Sequence, residues 1–106
     1  MYKVISTKSF IKNYSRFFDK DELVKFSKFK KKLRLNPFIG KPLRVNYVRE
    51  FKTNKGKRAY FIVYEEFSIV LFIACSNKKE QEDKISEIFS RISEYYKLAH
   101  RYYYNS

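Results

Sequence analysis

The run Ser-Ile-Val-Leu-Phe-Ile-Ala-Cys, from Ser68 to Cys75, holds no charge, glycine or proline, in a chain where 33% of residues are charged. Its length and its β-branched and aromatic content read as a strand. The absence of alternation means that both of its faces are covered. Such a strand needs a layer of structure above and below its sheet. The chain has 106 residues with no linker or repeat, so residues 1–106 read as a single domain that must supply both layers itself.

The covering layers are visible as helical patterns. Tyr2 to Ser6 reads as a short first strand. Phe10, Tyr14 and Phe17 then fall at helical spacing. Asp19 and Glu22 have the spacing of a capping box, and Leu23, Phe26, Phe29 or Lys30, and Leu33 mark one face of a second helix. Its other face is basic, with Lys25, Lys28, Lys30, Lys31, Lys32 and Arg34. Asn36-Pro37 stops it, because the residue before proline is pushed out of the helical region. These segments predict a helical hairpin. The second layer is a C-terminal helix opened by Asn77 and Glu80, with Ile85, Ile88, Phe89, Ile92 and Tyr96 as its buried stripe.

Between the layers the period changes to that of strands. Val45, Tyr47, Arg49 and Phe51 alternate with Asn46, Val48, Glu50 and Lys52. Asn54-Lys55-Gly56 makes a turn, and Arg58 to Tyr64 is a second strand. The order β-α-α-β-β-β-α predicts an α+β fold: an antiparallel sheet, a helical hairpin on one face and a C-terminal helix.

Charge points to the partner. Twenty-four Lys and Arg against 11 Asp and Glu give a net charge of +13, which opposes compaction unless a polyanion offsets it. Nucleic acid is the commonest such partner. No apolar run reaches the roughly 20 residues of a membrane span. No secretory segment precedes the first strand, and the lone Cys75 reads as a core thiol, so a reducing cytoplasm is the expected location. One histidine and two glycines exclude a catalytic triad, a zinc cluster and a phosphate-binding glycine loop, so neither a metal nor a cofactor is expected.

Several features then stand in a telling order. A lysine-rich hairpin leads to Asn36-Pro37, Gly40 and Leu43. Next come Arg49-Glu50-Phe51, a turn, and Arg58-Ala59-Tyr60-Phe61-Ile62-Val63-Tyr64. The apolar strand follows, and Asn77-Lys78-Lys79 precedes an amphipathic helix. Over about residues 2–96 this resembles the RelE/ParE superfamily of type II toxin–antitoxin systems. RelE-like members cut mRNA, usually on the ribosome. ParE-like members inhibit DNA gyrase without being nucleases.

The resemblance implies a metal-independent endoribonuclease whose catalytic residues are Arg49, Arg58 and Lys79, with Lys52, Lys57 and Lys78 binding substrate. A fixed cation beside the scissile phosphate stabilises charge that develops in the transition state. Each of these residues could instead be a solvated charge beside a turn. By alternation, Lys52 and Glu50 face away from Arg49. Arg58→Ala is expected to abolish activity with little loss of stability, on the reading that Arg58 stands on a sheet surface. The pattern lacks the aromatic residue expected after Lys79. Tyr95, Tyr96, His100, Tyr102, Tyr103 and Tyr104 are the candidates, and the general acid and base are unassigned. Two alternatives are a ParE-like gyrase inhibitor and an inactive nucleic-acid-binding domain of the same fold. The implied partners are RNA, the ribosome and an acidic, partly disordered antitoxin that orders on the basic surface as a helix or strand.

Overall fold

In the computed structural model, which describes residues 1–105, the chain runs β1 (Lys3–Ser6), α1 (Lys8–Phe17), α2 (Lys20–Leu33), β2 (Lys41–Leu43), β3 (Val45–Lys52), β4 (Arg58–Tyr64), a 3-10 turn (Glu65–Phe67), β5 (Ile69–Ser76), α3 (Gln81–Ser90) and α4 (Ile92–Asn105). The helix starts are chemical. The Thr7 side chain accepts from the Phe10 N–H and opens α1. At α2 both halves of the capping box form, with the Glu22 N–H donating to Asp19 at 2.9 Å and the Asp19 N–H to Glu22 at 3.0 Å. These bonds satisfy donors that a helix end otherwise leaves unpaired.

The five strands lie in the order β1-β5-β4-β3-β2. The expected antiparallel meander is present as β3-β4-β5, and the class is α+β. The sheet as a whole is mixed, because β1 runs parallel to β5 with Lys3 opposite Ile69 and Ser6 opposite Phe72. The α1–α2 hairpin is long enough to carry the chain across the sheet, which is what a parallel neighbour requires. A short strand, β2, pairs with β3 between the helical hairpin and the meander.

β5 is buried on both faces, as its sequence demands, and each face has its own core. Phe10, Phe18, Phe26, Leu33, Phe51, Phe61 and Phe72 fill the hairpin side. The rings of Phe26 and Phe72 meet edge to face at 5.0 Å, an arrangement that adds about 0.5–1.5 kcal/mol to simple burial. Val48, Tyr60, Ile62, Leu71, Ile85, Ile88 and Tyr95 fill the other side.

The C-terminal element departs from its expected phase. α3 ends at Ser90, and Arg91 leaves the helical region at φ −113° and ψ 16° before α4 begins. The break resets the helical stripe, so Tyr95 is 4% exposed and Tyr96, the expected core residue, is 43% exposed. Asn77 also behaves differently from a full cap: its side chain accepts from the Glu80 N–H at 2.9 Å, but α3 starts only at Gln81. Among the described residues no helix is long and apolar enough to cross a membrane.

Candidate active site

The β3–β4 register decides which charged residues share a face. Lys52 pairs with Arg58, Glu50 with Tyr60, and Arg49 with Phe61. Side chains alternate along each strand, so Glu50, Lys52, Arg58 and Tyr60 project toward α3, and Arg49 projects toward the hairpin. Glu50 and Lys52 thus face away from Arg49, as alternation requires. The same rule separates Arg49 from Arg58, which do not form one anion site.

Arg49 is instead the clamp of the loop before β2. It is 6% exposed, and its guanidinium donates to the carbonyls of Phe38, Ile39, Gly40 and Asn46 and to the Asn46 side chain, all at 2.9–3.1 Å. Only a planar fork of five N–H groups can satisfy that many diverging carbonyls. Gly40 is part of the clamp. Its φ is +80°, and a Cβ there would stand 2.4 Å from the Glu50 carbonyl oxygen. Every donor of Arg49, expected to be catalytic, is thus committed to backbone or to Asn46.

Lys57, expected to bind substrate, is likewise engaged within the fold. Its ammonium donates to the Phe17 carbonyl at 2.7 Å and to Glu22 at 3.0 Å, tying the β3–β4 turn to the hairpin. Lys55 reinforces the tie through an ion pair with Asp19.

On the α3 face lies a cluster that the sequence only half disclosed. Glu50 is 2% exposed and Arg58 4% exposed, with Arg58 Nε 3.5 Å from Glu50 Oε2. Arg58 Nη1 donates to the Gly56 carbonyl at 2.6 Å, but its buried Nε has no hydrogen-bond partner. Glu50 receives only a long contact, 3.5 Å, from Gln81 at the start of α3. The Tyr60 hydroxyl and Ser76 share a 2.6 Å bond beside them. Burial pushes the Glu50 carboxyl above its ordinary range, against the pull of Arg58, Lys41 and Lys52. A buried, under-bonded acid–base pair of this kind is a poor structural strut and a good candidate for chemistry.

Exposed cations rim the cluster. Lys52 is the cross-strand partner of Arg58, and Lys78 passes within 4.0 Å of where a Gly56 Cβ would sit. Lys52, Lys78 and Lys79 are all exposed. His100 lies elsewhere. Its ring packs on Phe67, in the turn before β5, whereas Arg58 pairs with Ser76 at the far end of that strand, about 23 Å away at roughly 3.3 Å per residue. Tyr103 and Tyr104 belong to the same distant ring cluster. Cys75 is half-buried, and burial pushes its thiol up to about 12, in keeping with a packing role.

Scans against family models and curated proteins return no match. Solved structures do match. An arginine-to-alanine double variant of the E. coli toxin RelE in the free state aligns with a TM-score of 0.70 at 20% identity, covering 86% of this chain and 97% of that one. The same variant in complex with an antitoxin RelBc peptide gives 0.63 at 18%, covering 86% and 93%. The isolated E. coli RelE toxin gives 0.63 at 20%, covering 87% and 99%.

The chain has the RelE fold.

Within that fold, Glu50 is the residue that sequence reasoning left out of the site. The signal for it was present. A turn centred on Asn54-Lys55-Gly56 sets Lys52 opposite Arg58, and alternation then puts Glu50 on the face of Arg58. A RelE-like sheet therefore presents one carboxylate, one arginine and one tyrosine at the end nearest α3, beneath a rim of lysines.

Proposed function

We propose that this chain is the toxin of a type II toxin–antitoxin pair, and that it cleaves mRNA on the ribosome without a metal. The observation that carries this reading is the under-bonded Glu50–Arg58 pair beneath the lysine rim. Glu50, with its raised proton affinity, takes the proton of a ribose 2′-OH. The 2′-oxygen bonds to the adjacent phosphorus, and the P–O5′ bond breaks. The 5′-oxygen leaves with a proton from solvent, and a 2′,3′-cyclic phosphate remains. Arg58 Nε, ion-paired with Glu50 but without a hydrogen bond, gives Arg58 a donor for the phosphoryl oxygens as they gain charge. Lys52, Lys78 and Lys79 hold the flanking phosphates. Because the pair is buried, the segment from Asn77 to Gln81 must lift from Glu50 as RNA enters. Its long Gln81 contact is a weak latch.

The same burial favours one competing reading, a ParE-like toxin that inhibits gyrase and keeps Arg58 as a structural residue. The two separate in one pair of assays. Purified protein added to translating ribosomes should create new mRNA 5′ ends and leave gyrase supercoiling unchanged. Intact message together with blocked supercoiling would reverse the assignment.

A further inference from the structure

The charge of this chain reverses at one place. A cavity of about 390 Å³ beside the Glu65–Phe67 turn is lined by Glu65 and Glu66. No Lys or Arg lines it, in a chain that has 24 of them. Both carboxylates are exposed, and neither is in an ion pair with any described residue. In a protein of net charge +13, two adjacent acids left unpaired beside a cavity make a local negative field.

Three tyrosines complete the lining. Tyr47 of β3 and Tyr96 of α4 are 45% and 43% exposed, and Tyr64, the last residue of β4, is 6% exposed. The rings of Tyr64 and Tyr96 meet edge to face, with centroids 6.0 Å apart and planes at 65°, so they form a corner rather than a stack. The Tyr64 hydroxyl is buried and has no hydrogen-bond partner. A buried phenol normally finds one, because leaving it bare costs free energy. Burial, and then the neighbouring Glu66, Tyr47, Tyr95 and Tyr96, hold its proton more tightly than usual. Three of those four neighbours line the cavity, which puts the hydroxyl on the cavity side of its ring.

We propose that this cavity binds an organic cation with N–H donors, either a primary ammonium or a guanidinium. Tyrosine faces attract positive charge, Glu65 and Glu66 offset it, and one N–H donates to the orphaned Tyr64 hydroxyl. Because that hydroxyl is closed to solvent, the half-exposed Tyr96 ring turns aside as the cation enters. An anion such as a phosphate would meet two carboxylates and no cation. A hydrated metal ion would make no use of the ring faces. Tyr64 lies six residues from Arg58 along β4, about 20 Å at roughly 3.3 Å per residue. The site is thus separate from the Glu50–Arg58 pair, and its existence does not rest on the toxin reading.

Two probes present the same chemistry from different sources: spermidine, free in solution, and acetyl-Gly-Arg-Gly-amide, on a peptide. Two controls separate its parts. The citrulline tripeptide keeps the shape of arginine without the charge, and tetramethylammonium keeps the charge without an N–H. Binding is followed at low salt through the ring resonances of Tyr47 and Tyr96. One or both probes should shift them, and the tighter of the two identifies the source. The citrulline peptide and tetramethylammonium should each bind ~10-fold more weakly or worse than the tighter probe. Changing the exposed pair Glu65→Gln and Glu66→Gln together should weaken the probe ~10-fold with the melting temperature unchanged. Tyr96→Phe should keep the affinity, and Tyr96→Leu should lose ~10-fold. No shift at either ring with both probes would overturn the proposal. So would equal binding of the citrulline peptide or of tetramethylammonium, whether or not any variant folds.

Discussion

Arg58 Nε lies 3.5 Å from Glu50 Oε2 with both side chains buried, and neither group has a full set of hydrogen bonds. An ion pair so placed holds a charge that the fold cannot tolerate alone. The expectation that Arg58 could be removed at little cost to stability rested on an exposed sheet surface, and the burial of Arg58 corrects it. Arg58→Ala should destabilise the protein by about 3–5 kcal/mol, because it strands the Glu50 carboxylate. Adding Glu50→Gln should restore most of that loss. Thermal melts of the single and double variants check this, and a single variant that melts like the parent would show that the pair is not coupled. For molecules that remain folded, loss of Arg58 should still cost about 10²–10³ in cleavage rate.

Arg49→Lys should damage the fold and spare the chemistry. Lysine offers one ammonium where Arg49 supplies bonds to four carbonyls and the Asn46 side chain, so the loop before β2 loses its clamp. A stability loss of about 2–4 kcal/mol is expected, with cleavage per folded molecule unchanged. A variant as stable as the parent but inactive would return Arg49 to the catalytic site.

Glu22 sets part of the response to acid. Burial pushes its carboxyl up, but the Asp19 N–H, Thr53 and Lys57 outweigh that and leave it below its ordinary value of 4.5. A lowered carboxylate stabilises the fold fully above its unfolded value, and that contribution fades as pH falls from there through the folded value. Glu22→Gln should therefore lower the melting temperature near neutral pH, and the gap to the parent should narrow as pH falls below 4.5 and through the folded value. A gap that stays constant across the range would mean that the carboxylate's charge is not what matters. Glu50 has the opposite sign. Its raised value makes the ionised form a penalty that grows as pH climbs above its unfolded value of 4.5.

Lys78 and Lys79 are exposed at the rim, so removing them should act on binding alone. The double change to alanine should alter stability by no more than about 0.5 kcal/mol. If both touch phosphates, the slope of log affinity for single-stranded RNA against log salt should fall by about 1.4. An unchanged slope would place both lysines outside the RNA path.

The sequence by itself determined the layers. An uncharged run at Ser68–Cys75 had to be sandwiched, the Asp19–Glu22 spacing had to cap a helix, and Asn36-Pro37 had to end it, because each rests on contacts within a few residues. It also held the alternation that sends Glu50 and Arg49 to opposite faces. Tertiary structure alone decided what each face meets. Arg49 becomes a clamp because the loop 38–40 folds over it, and Lys57 becomes a tie because Glu22 is brought beside it from 35 residues away. Tyr95 replaces Tyr96 in the core because a break at Arg91 shifts the helical phase. The parallel pairing of β1 with β5 joins residues more than sixty apart. Local spacing carries no record of such distant contacts. A charged side chain reads the same in sequence whether it meets water, a carbonyl or a buried carboxylate, and only packing tells these apart.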